Sequence, residues 1–240
     1  MRHVFRYLVA DPPAPGDVVT LAPADSHHLA RVVRRRPGDV VELGDGAGAV
    51  WSAHVLDPGP PATVRVASRV EARAPAPVTL YQGILEWGRL DVLVEKAVEL
   101  GVGEIVLVAT ERSRRVPEQQ AWERRRARVL RVAESAVRQS GRAVLPAVRG
   151  LVPFGDAMRE ITPGEGFLID PRGDEPLAAA LAGRSAGTAL VVGPEAGFSD
   201  GEAAAARAAG LRACTLGPAV LRAETAGIAA VVLATAGREG

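Results

Sequence analysis

The feature that most narrows the possible folds is a change of hydrophobic period near residue 78. Ahead of it the chain is a series of short β-rich runs, "RYLVA", "DVVTL", "DVVEL", "AVWSAHVLD" and "ATVRVASRV". Turn clusters such as "DPPAPGD", "GDGAG" and "DPGPPA" separate them. Short strands at close spacing predict a small β-barrel or sandwich, here interrupted by one short helix over 26–34. Beyond residue 78, "VTLYQGIL" reads as a strand. Leu90, Leu93, Val94, Ala97 and Val98 then recur at i, i+3, i+4, i+7 and i+8, the stripe of an amphipathic helix, with Gly101 as its stop. "EIVLVA" (104–109) is a further strand, and 120–140 a long helix that Gly141 ends. "GFLID" (166–170), "TALVVG" (188–193) and "RACTLG" (212–217) are strands with helical segments between and after them. Strands alternating with helices imply an α/β domain with a mostly parallel sheet covered on both faces. The alternating Ala and Pro of "VEARAPAPVT" disfavour helix and central strand, which places a linker at 73–77 between domains 1–72 and 78–240.

The totals exclude several classes. Of 240 residues, 48% are hydrophobic and 24% charged, the balance of a soluble globular protein. Aromatic residues are only 4%, so the core rests on Val, Leu and Ala. The net charge of +1 does not by itself call for nucleic acid, but Lys96 is the sole lysine and arginine carries the rest. Arginine suits planar, bidentate phosphate contacts; a GC-rich genome gives the same bias. Cys214 is the only cysteine, so neither an intrachain disulfide nor a cysteine-based metal site can form. The histidines, His3, His27, His28 and His54, show no zinc spacing, and no metal site is expected. "MRHVFRYLVADPP" has no long apolar segment of a signal peptide, and no run approaches the ~18 apolar residues of a membrane span. A cytoplasmic protein without membrane partners is expected.

The chemistry-bearing segments lie at strand ends. "GDGAGA" (44–49) joins two strand-like runs with no helix after it, so it reads as a hairpin turn rather than a dinucleotide loop. In "VVGPEAGFSDGE" (191–202), Ser199 and Glu202 form an S-x-x-E capping box that starts a helix. Gly193 and Gly197 allow a tight turn and close approach to a ligand. The turn sits at the carboxyl end of a buried strand, where open α/β sheets bind ligands. Glu195 makes it a poor phosphate cradle, better suited to positive charge or hydroxyls. A plain strand-to-helix connection with a solvated Glu is the alternative. "FLIDPRG" (167–173) and "LGPAVLRAETAG" (216–227) leave their strands in a similar way. Arg222 and Glu224 stand there among small and apolar residues, either at a pocket or as a surface ion pair. In the N-terminal part, "HHLARVVRRRPGD" anchors itself by Leu29 and Val32 or Val33 and presents its arginines as a basic patch. Arg124, Arg128 and Arg131 share one face of the long helix. A solvated helix face is the alternative for both.

In combination and order, these motifs resemble the RsmE-type 16S ribosomal RNA uridine-N3 methyltransferases of the SPOUT class. "VVGPEAGFSDGE" followed by "LGPAVLRAETA" is similar to the family's C-terminal signature. "KAVELGVGEIVLVATERS" (96–113), "QSGR" (139–142) and "DPRG" resemble further family segments, and "HHLARVVRRRPGDVVELGDGAG" its PUA-like domain. The resemblance covers nearly the whole chain. It implies a SPOUT trefoil-knotted, mostly parallel sheet domain preceded by a small PUA-like RNA-binding β-barrel domain. It implies S-adenosylmethionine held by three loops, at Ile169, Asp170 and Pro171; at Gly193, Pro194, Glu195 and Gly197; and at Leu216, Gly217, Val220 and Leu221, with Thr225 beyond them. It implies catalysis by Arg222, stabilising a uridine anion, with Glu195 or Glu224 accepting the proton or orienting the cofactor. RNA contacts are implied at Arg6, His27, His28, Arg31, Arg34, Arg112, Gln139 and Arg142. The partners implied are 16S rRNA, or the small ribosomal subunit, and a second copy of the chain in a homodimer. The sequence departs from the family pattern at Ala196, in place of Gly, at Ala219, in place of a basic residue, at Ala223, in place of Thr, and at Arg138, in place of an acidic residue. Two rival readings follow: a non-catalytic RNA-binding or ribosome-assembly factor on the same fold, and a SPOUT methyltransferase with another RNA target.

Overall fold

The computed structural model describes residues 5–72, 76–184 and 187–236. Most of the linker expected at 73–77 lies outside the described residues. The chain divides into two compact units, one of Met1–Ala74 with Val137–Leu145, the other of Pro75–Ala136 with Pro146–Gly240.

The first unit is built on one five-stranded sheet, so its strands do not split into the two layers of a sandwich. In chain order the strands are β1 (Arg6–Leu8), β2 (Val18–Thr20), β3 (Val40–Gly44), β4 (Val50–Asp57) and β5 (Thr63–Val70). Their spatial order is β1-β3-β4-β5-β2, with β1 parallel to β3 and the other pairs antiparallel. Val41, Leu43, Ala53, Val55, Val64 and Val66 bury one face against Tyr7, Leu21 and Leu29. The β3–β4 connection is the expected hairpin turn. Asp45 Oδ1 accepts from the N–H groups of Ala47 at 2.8 Å and Ala49 at 3.0 Å, an Asx turn made possible by Gly46 and Gly48 at positive φ. The helix expected over 26–34 begins earlier, as α1 (Pro23–His27), with Pro at its first turn. It then widens into a π-helical turn, His28–Val32. The extra residue in that turn rotates the face. Leu29 is fully buried and Val33 packs on the core, while Val32 is exposed. The segment 137–145, expected from the sequence in the second domain, belongs with this unit. Arg138 Nε lies 3.2 Å from the buried Asp25 Oδ1, and Leu145 N–H donates to Gly46 O at 2.8 Å. The basic residue at 138 thus has a structural partner.

The second unit is a seven-stranded, wholly parallel sheet with helices between its strands. Its elements are β6 (Val78–Gly83), α2 (Trp87–Glu99), β7 (Glu104–Ala109), α3 (Gln119–Ser140, whose last four residues belong to the first unit), β8 (Ala147–Pro153), α4 (Phe154–Glu160), β9 (Gly166–Ile169), β10 (Glu175–Pro176), α5 (Leu177–Leu181), β11 (Thr188–Val192), α6 (Asp200–Ala208), β12 (Arg212–Thr215) and α7 (Ala223–Ala236). The spatial order is β10-β12-β9-β11-β6-β7-β8. The predicted stripe of α2, Leu90, Leu93, Val94, Ala97 and Val98, is buried, and Gly101 follows at φ 90°. β9 and β11 are buried at every residue, as befits central parallel strands. Two strands have no clear sequence pattern. β10 is two residues long, and β8 is an edge strand whose alternation is broken. Leu151 has φ 58°, and the β7–β8 register shifts between Val106 and Val108. Gly150 lies so close beneath the Trp122 ring that a Cβ there would overlap it.

Candidate active site

Because β12, β9 and β11 are parallel neighbours, their carboxyl ends open on the same edge of the sheet. The three loops leaving those ends enclose a cavity of about 640 Å³. Eleven of the twelve positions expected to hold a cofactor line it: Ile169, Asp170 and Pro171 from the first loop, Gly193, Pro194, Glu195 and Gly197 from the second, and Leu216, Gly217, Val220 and Leu221 from the third. The twelfth, Thr225, is exposed on the first turn of α7 and is not part of the lining.

The first loop is held by a buried carboxylate. Asp170 accepts from Arg172 through its backbone N–H at 2.8 Å, Nε at 3.0 Å and Nη2 at 2.9 Å. Arg172 also reaches Asp200 at 2.6 Å. Gly173 packs on the backbone of Cys214, where a Cβ would sit 2.5–2.8 Å from main-chain atoms. The Arg172 hydrogen bonds hold the Asp170 carboxyl below the usual aspartate range, against the opposing effect of burial. A carboxyl with a depressed folded pKa stabilises the fold above its unfolded pKa, and that contribution disappears as the pH falls through the folded value. Arg172→Met is therefore expected to lower the melting temperature at about pH 7, with the deficit closing below about pH 4. Thermal denaturation across that range checks it, and a deficit independent of pH would contradict it.

The second loop turns through Gly197 at φ 69°, whose N–H donates to Pro194 O at 2.9 Å. Ala196 is not among the positive-φ residues, so the missing glycine there costs no backbone strain. The capping box forms: Ser199 Oγ accepts from Glu202 N–H at 3.1 Å, and Glu202 Oε2 from Ser199 N–H at 3.0 Å. Beneath the loop, the fully buried Gln82 donates from Nε2 to Gly193 O at 3.1 Å and Gly83 O at 3.2 Å. The third loop passes Gly217 at φ 124° and projects Val220, 82% exposed.

Charge is distributed unevenly around the cavity. Arg89, in the first turn of α2, lies 3.7 Å from Glu86, 3.7 Å from Glu195 and 3.8 Å from Glu224. These are electrostatic contacts rather than direct hydrogen bonds. Glu224 Oε2 is buried with no hydrogen-bond partner, so Arg89 supplies its compensation. Sequence reasoning misses Arg89, since "EWGRL" is an ordinary amphipathic helix start with no motif around it. Arg112 lines the cavity and donates from Nη1 to Ala196 O at 3.4 Å. Arg222 also lines it, is exposed, and has no carboxylate partner among the described residues. The cavity thus combines main-chain groups of three loops, a Glu195–Arg89–Glu224 cluster and one unpaired guanidinium. It suits a ligand that carries positive charge and hydroxyls, beside a second reactant that develops negative charge.

The other expected contacts divide. Arg6 turns inward and is spent there, pairing with Glu42 at 2.6 Å and donating to Gly141 O. His28 is likewise directed at the core, 3.2 Å from Tyr7 Oη and edge-on to Phe5, and burial lowers its pKa. Both are engaged by partners within the first unit. His27, Arg31, Arg34 and Gln139 are exposed in the first unit, and Arg142 is half-buried there.

Residues 72–235 match the family described as RNA methyltransferase domain, and residues 21–65 match the RNA methyltransferase PUA domain. The ribosomal RNA small subunit methyltransferase E of Synechocystis sp. is 31% identical over 229 residues, covering 92% of this chain and 74% of that protein. Among solved structures, the Neisseria gonorrhoeae ribosomal RNA small subunit methyltransferase E bound to S-adenosyl methionine superposes with a TM-score of 0.82 at 29% identity, over 95% of both chains. A Legionella pneumophila chain in complex with the bound cofactor SAM gives a TM-score of 0.84 at 27% identity, over 98% of both.

Proposed function

Since this chain belongs to the ribosomal RNA small subunit methyltransferase E family, we propose that its cavity takes S-adenosylmethionine and that the methyl group goes to N3 of a uridine in 16S rRNA. The protein is an S-adenosylmethionine-dependent rRNA methyltransferase. The observation that carries the finer reading is the meeting of three adjacent strand-end loops around one cavity that also holds Arg222 and Glu195.

The residues present fit the cofactor. A cavity of about 640 Å³ is of small-molecule size. Gly193 and Gly197 leave the main chain of the second loop open to close approach, and the Glu195 carboxylate suits a cationic ligand. Residues 169–171, 193–197 and 216–221 would hold it. When bound, S-adenosylmethionine supplies a positively charged sulfonium with a transferable methyl group.

The protein's own part is to position the base, remove its N3 proton and steady the charge that results. Glu195 lines the cavity and Glu224 does not, so the N3–H proton goes to a Glu195 carboxylate oxygen. Glu224 acts through Arg89, which lies within 3.8 Å of both carboxylates. As the proton leaves, the uracil ring becomes anionic, and the unpaired Arg222 guanidinium stabilises its carbonyl oxygens. The uridine must be unpaired or flipped out to reach the cavity.

The substrate is the assembled small subunit or its RNA, met in the cytoplasm. No described helix is long and apolar enough to cross a membrane. The active form is a homodimer. Beyond its first turn, α7, "AETAGIAAVVLATA", is apolar on nearly every face yet leaves Val232 exposed, and Val92 is exposed on α2, against which it packs. A helix of that character belongs in a buried setting, and a two-fold copy would supply it. The trefoil threading of the C-terminal segment is part of the same reading.

Labelled methyl should pass from S-adenosylmethionine to small subunits from cells lacking this gene, and digestion with mass spectrometry should find 3-methyluridine in 16S rRNA. No transfer to subunits or naked RNA, with cofactor binding intact, would assign another substrate. Absent cofactor binding would favour the non-catalytic rival.

A further inference from the structure

The turn that follows β7 carries three arginines, Arg112, Arg114 and Arg115, and is unusually well fastened. Thr110 and Ser113 close it, with Oγ to Oγ at 2.9 Å, Thr110 N–H to Ser113 Oγ at 3.1 Å and Ser113 N–H to Thr110 O at 3.1 Å. Glu111 N–H then donates to Oε1 of Glu202 at 2.8 Å. Glu202 is 5% exposed, and its other oxygen is the one that accepts from Ser199 N–H at the exit of the second cavity loop. A single buried carboxylate therefore ties the arginine turn to the loop that forms the cavity wall. Arg112 adds a second tie through Ala196 O.

Burying a carboxylate is costly unless both oxygens are engaged, and here they are engaged by two different loops. The turn so anchored, 110–113, leads directly into two cations. Arg114 and Arg115 are exposed, and neither has a carboxylate partner among the described residues. In the same unit Arg125, Arg128, Arg149, Arg159 and Arg212 pair with acids, and Arg124, Arg126, Arg131 and Arg184 bond to carbonyl or amide oxygens. Guanidinium groups without acid partners, directly after a fastened turn beside a nucleotide-sized cavity, match the planar, bidentate chemistry of phosphodiesters.

We propose that the 110–115 turn is a phosphate clamp, in which Arg114 and Arg115 grip the single-stranded RNA backbone flanking the target nucleotide while Glu202 keeps the clamp in register with the cavity. The inference rests on the RNA-substrate reading above and adds the residues that hold the strand. Such contacts fix the position of the strand and carry no sequence information.

Filter binding of a naked 16S rRNA transcript across a series of KCl concentrations tests it, comparing wild type with Arg114→Ala/Arg115→Ala. For a single strand, removing one arginine–phosphate pairing should flatten the slope of log K against log salt by about 0.7, hence about 1.4 for the pair. S-adenosylmethionine affinity, read by calorimetry, should be unchanged. An unchanged slope in the double variant overturns the clamp and leaves the RNA-substrate reading standing. Loss of cofactor affinity also overturns it, since the arginines would then serve the cavity itself. Wild type that binds neither the transcript nor isolated small subunits at any salt concentration overturns both.

Discussion

Gly83→Ala is expected to weaken S-adenosylmethionine binding and to lower methyl transfer about 100-fold, although the residue lines no part of the cavity. Gly83 ends β6, where its register partner is Val108 on one side and where β6 pairs with β11 through Gln82 and Val192 on the other. A Cβ at this position would fall on Pro194 N, 2.6 Å from Pro194 Cδ and 2.8 Å from Gly193 C. These are main-chain and ring atoms, which cannot swing aside as a flexible side-chain tip can. The strand is fixed in the sheet, so the second cavity loop must give way. Overpacking of this kind costs about 1–3 kcal/mol of stability. A displacement of about 1 Å in a positioning element is enough to reduce turnover about 100-fold. The same shift would break the Gln82 hydrogen bond to Gly193 O. Calorimetric titration with the cofactor and thermal denaturation measure the two effects separately. A variant with native affinity would show that the loop tolerates displacement and would remove it from the binding site.

Arg222→Ala is expected to lower kcat by about 100- to 1,000-fold while leaving cofactor affinity near native. The assignment rests on how the guanidinium groups at the cavity are occupied. Arg89 faces three carboxylates, Arg172 faces Asp170 and Asp200, and Arg112 donates to Ala196 O. Arg222 has no such engagement among the described residues, yet its backbone is fixed, because its carbonyl accepts the Ala226 N–H at 2.8 Å as α7 begins. A fixed main chain with a free cationic head can meet charge that appears only during the reaction. Arg222→Lys should recover part of the loss, because it restores the charge without the planar fork. Single-turnover kinetics with saturating cofactor provide the readout. Native turnover in the alanine variant would exclude the role.

What the sequence made legible was the part of the design that repeats. Period-two and period-3.6 runs found every strand of five residues or more except β8, and glycines found most of the stops. β8 escaped because an edge strand with Gly150 under Trp122 and Leu151 at positive φ has no alternation left to read. The three cavity loops were legible because glycine, proline and an acid gathered at strand ends announce a special turn. Gly83, Gln82 and Arg89 were not, since each acts across a distance of about 100 residues or more in sequence on partners that only the sheet order brings near. The internal partners of Arg6 and His28 were not legible for a related reason. A positive or aromatic side chain in a basic stretch looks available until the fold supplies Glu42 and Tyr7 as partners. Val33 rather than Val32 meets the core because a π turn shifts the phase by one residue, and no propensity argument anticipates that.

The sheet order has a further consequence, for synthesis. β12 is the last strand made, yet it occupies a slot between β9 and β10, bonded on both sides to strands that precede it. Non-local pairings of this kind form slowly, because chain closure must come before the contacts that reward it. The third cavity loop depends on β12, and α7 follows it. A growing chain therefore completes most of its sheet before it has anything that can hold the methyl donor, and competence for the reaction is among the last properties that folding confers.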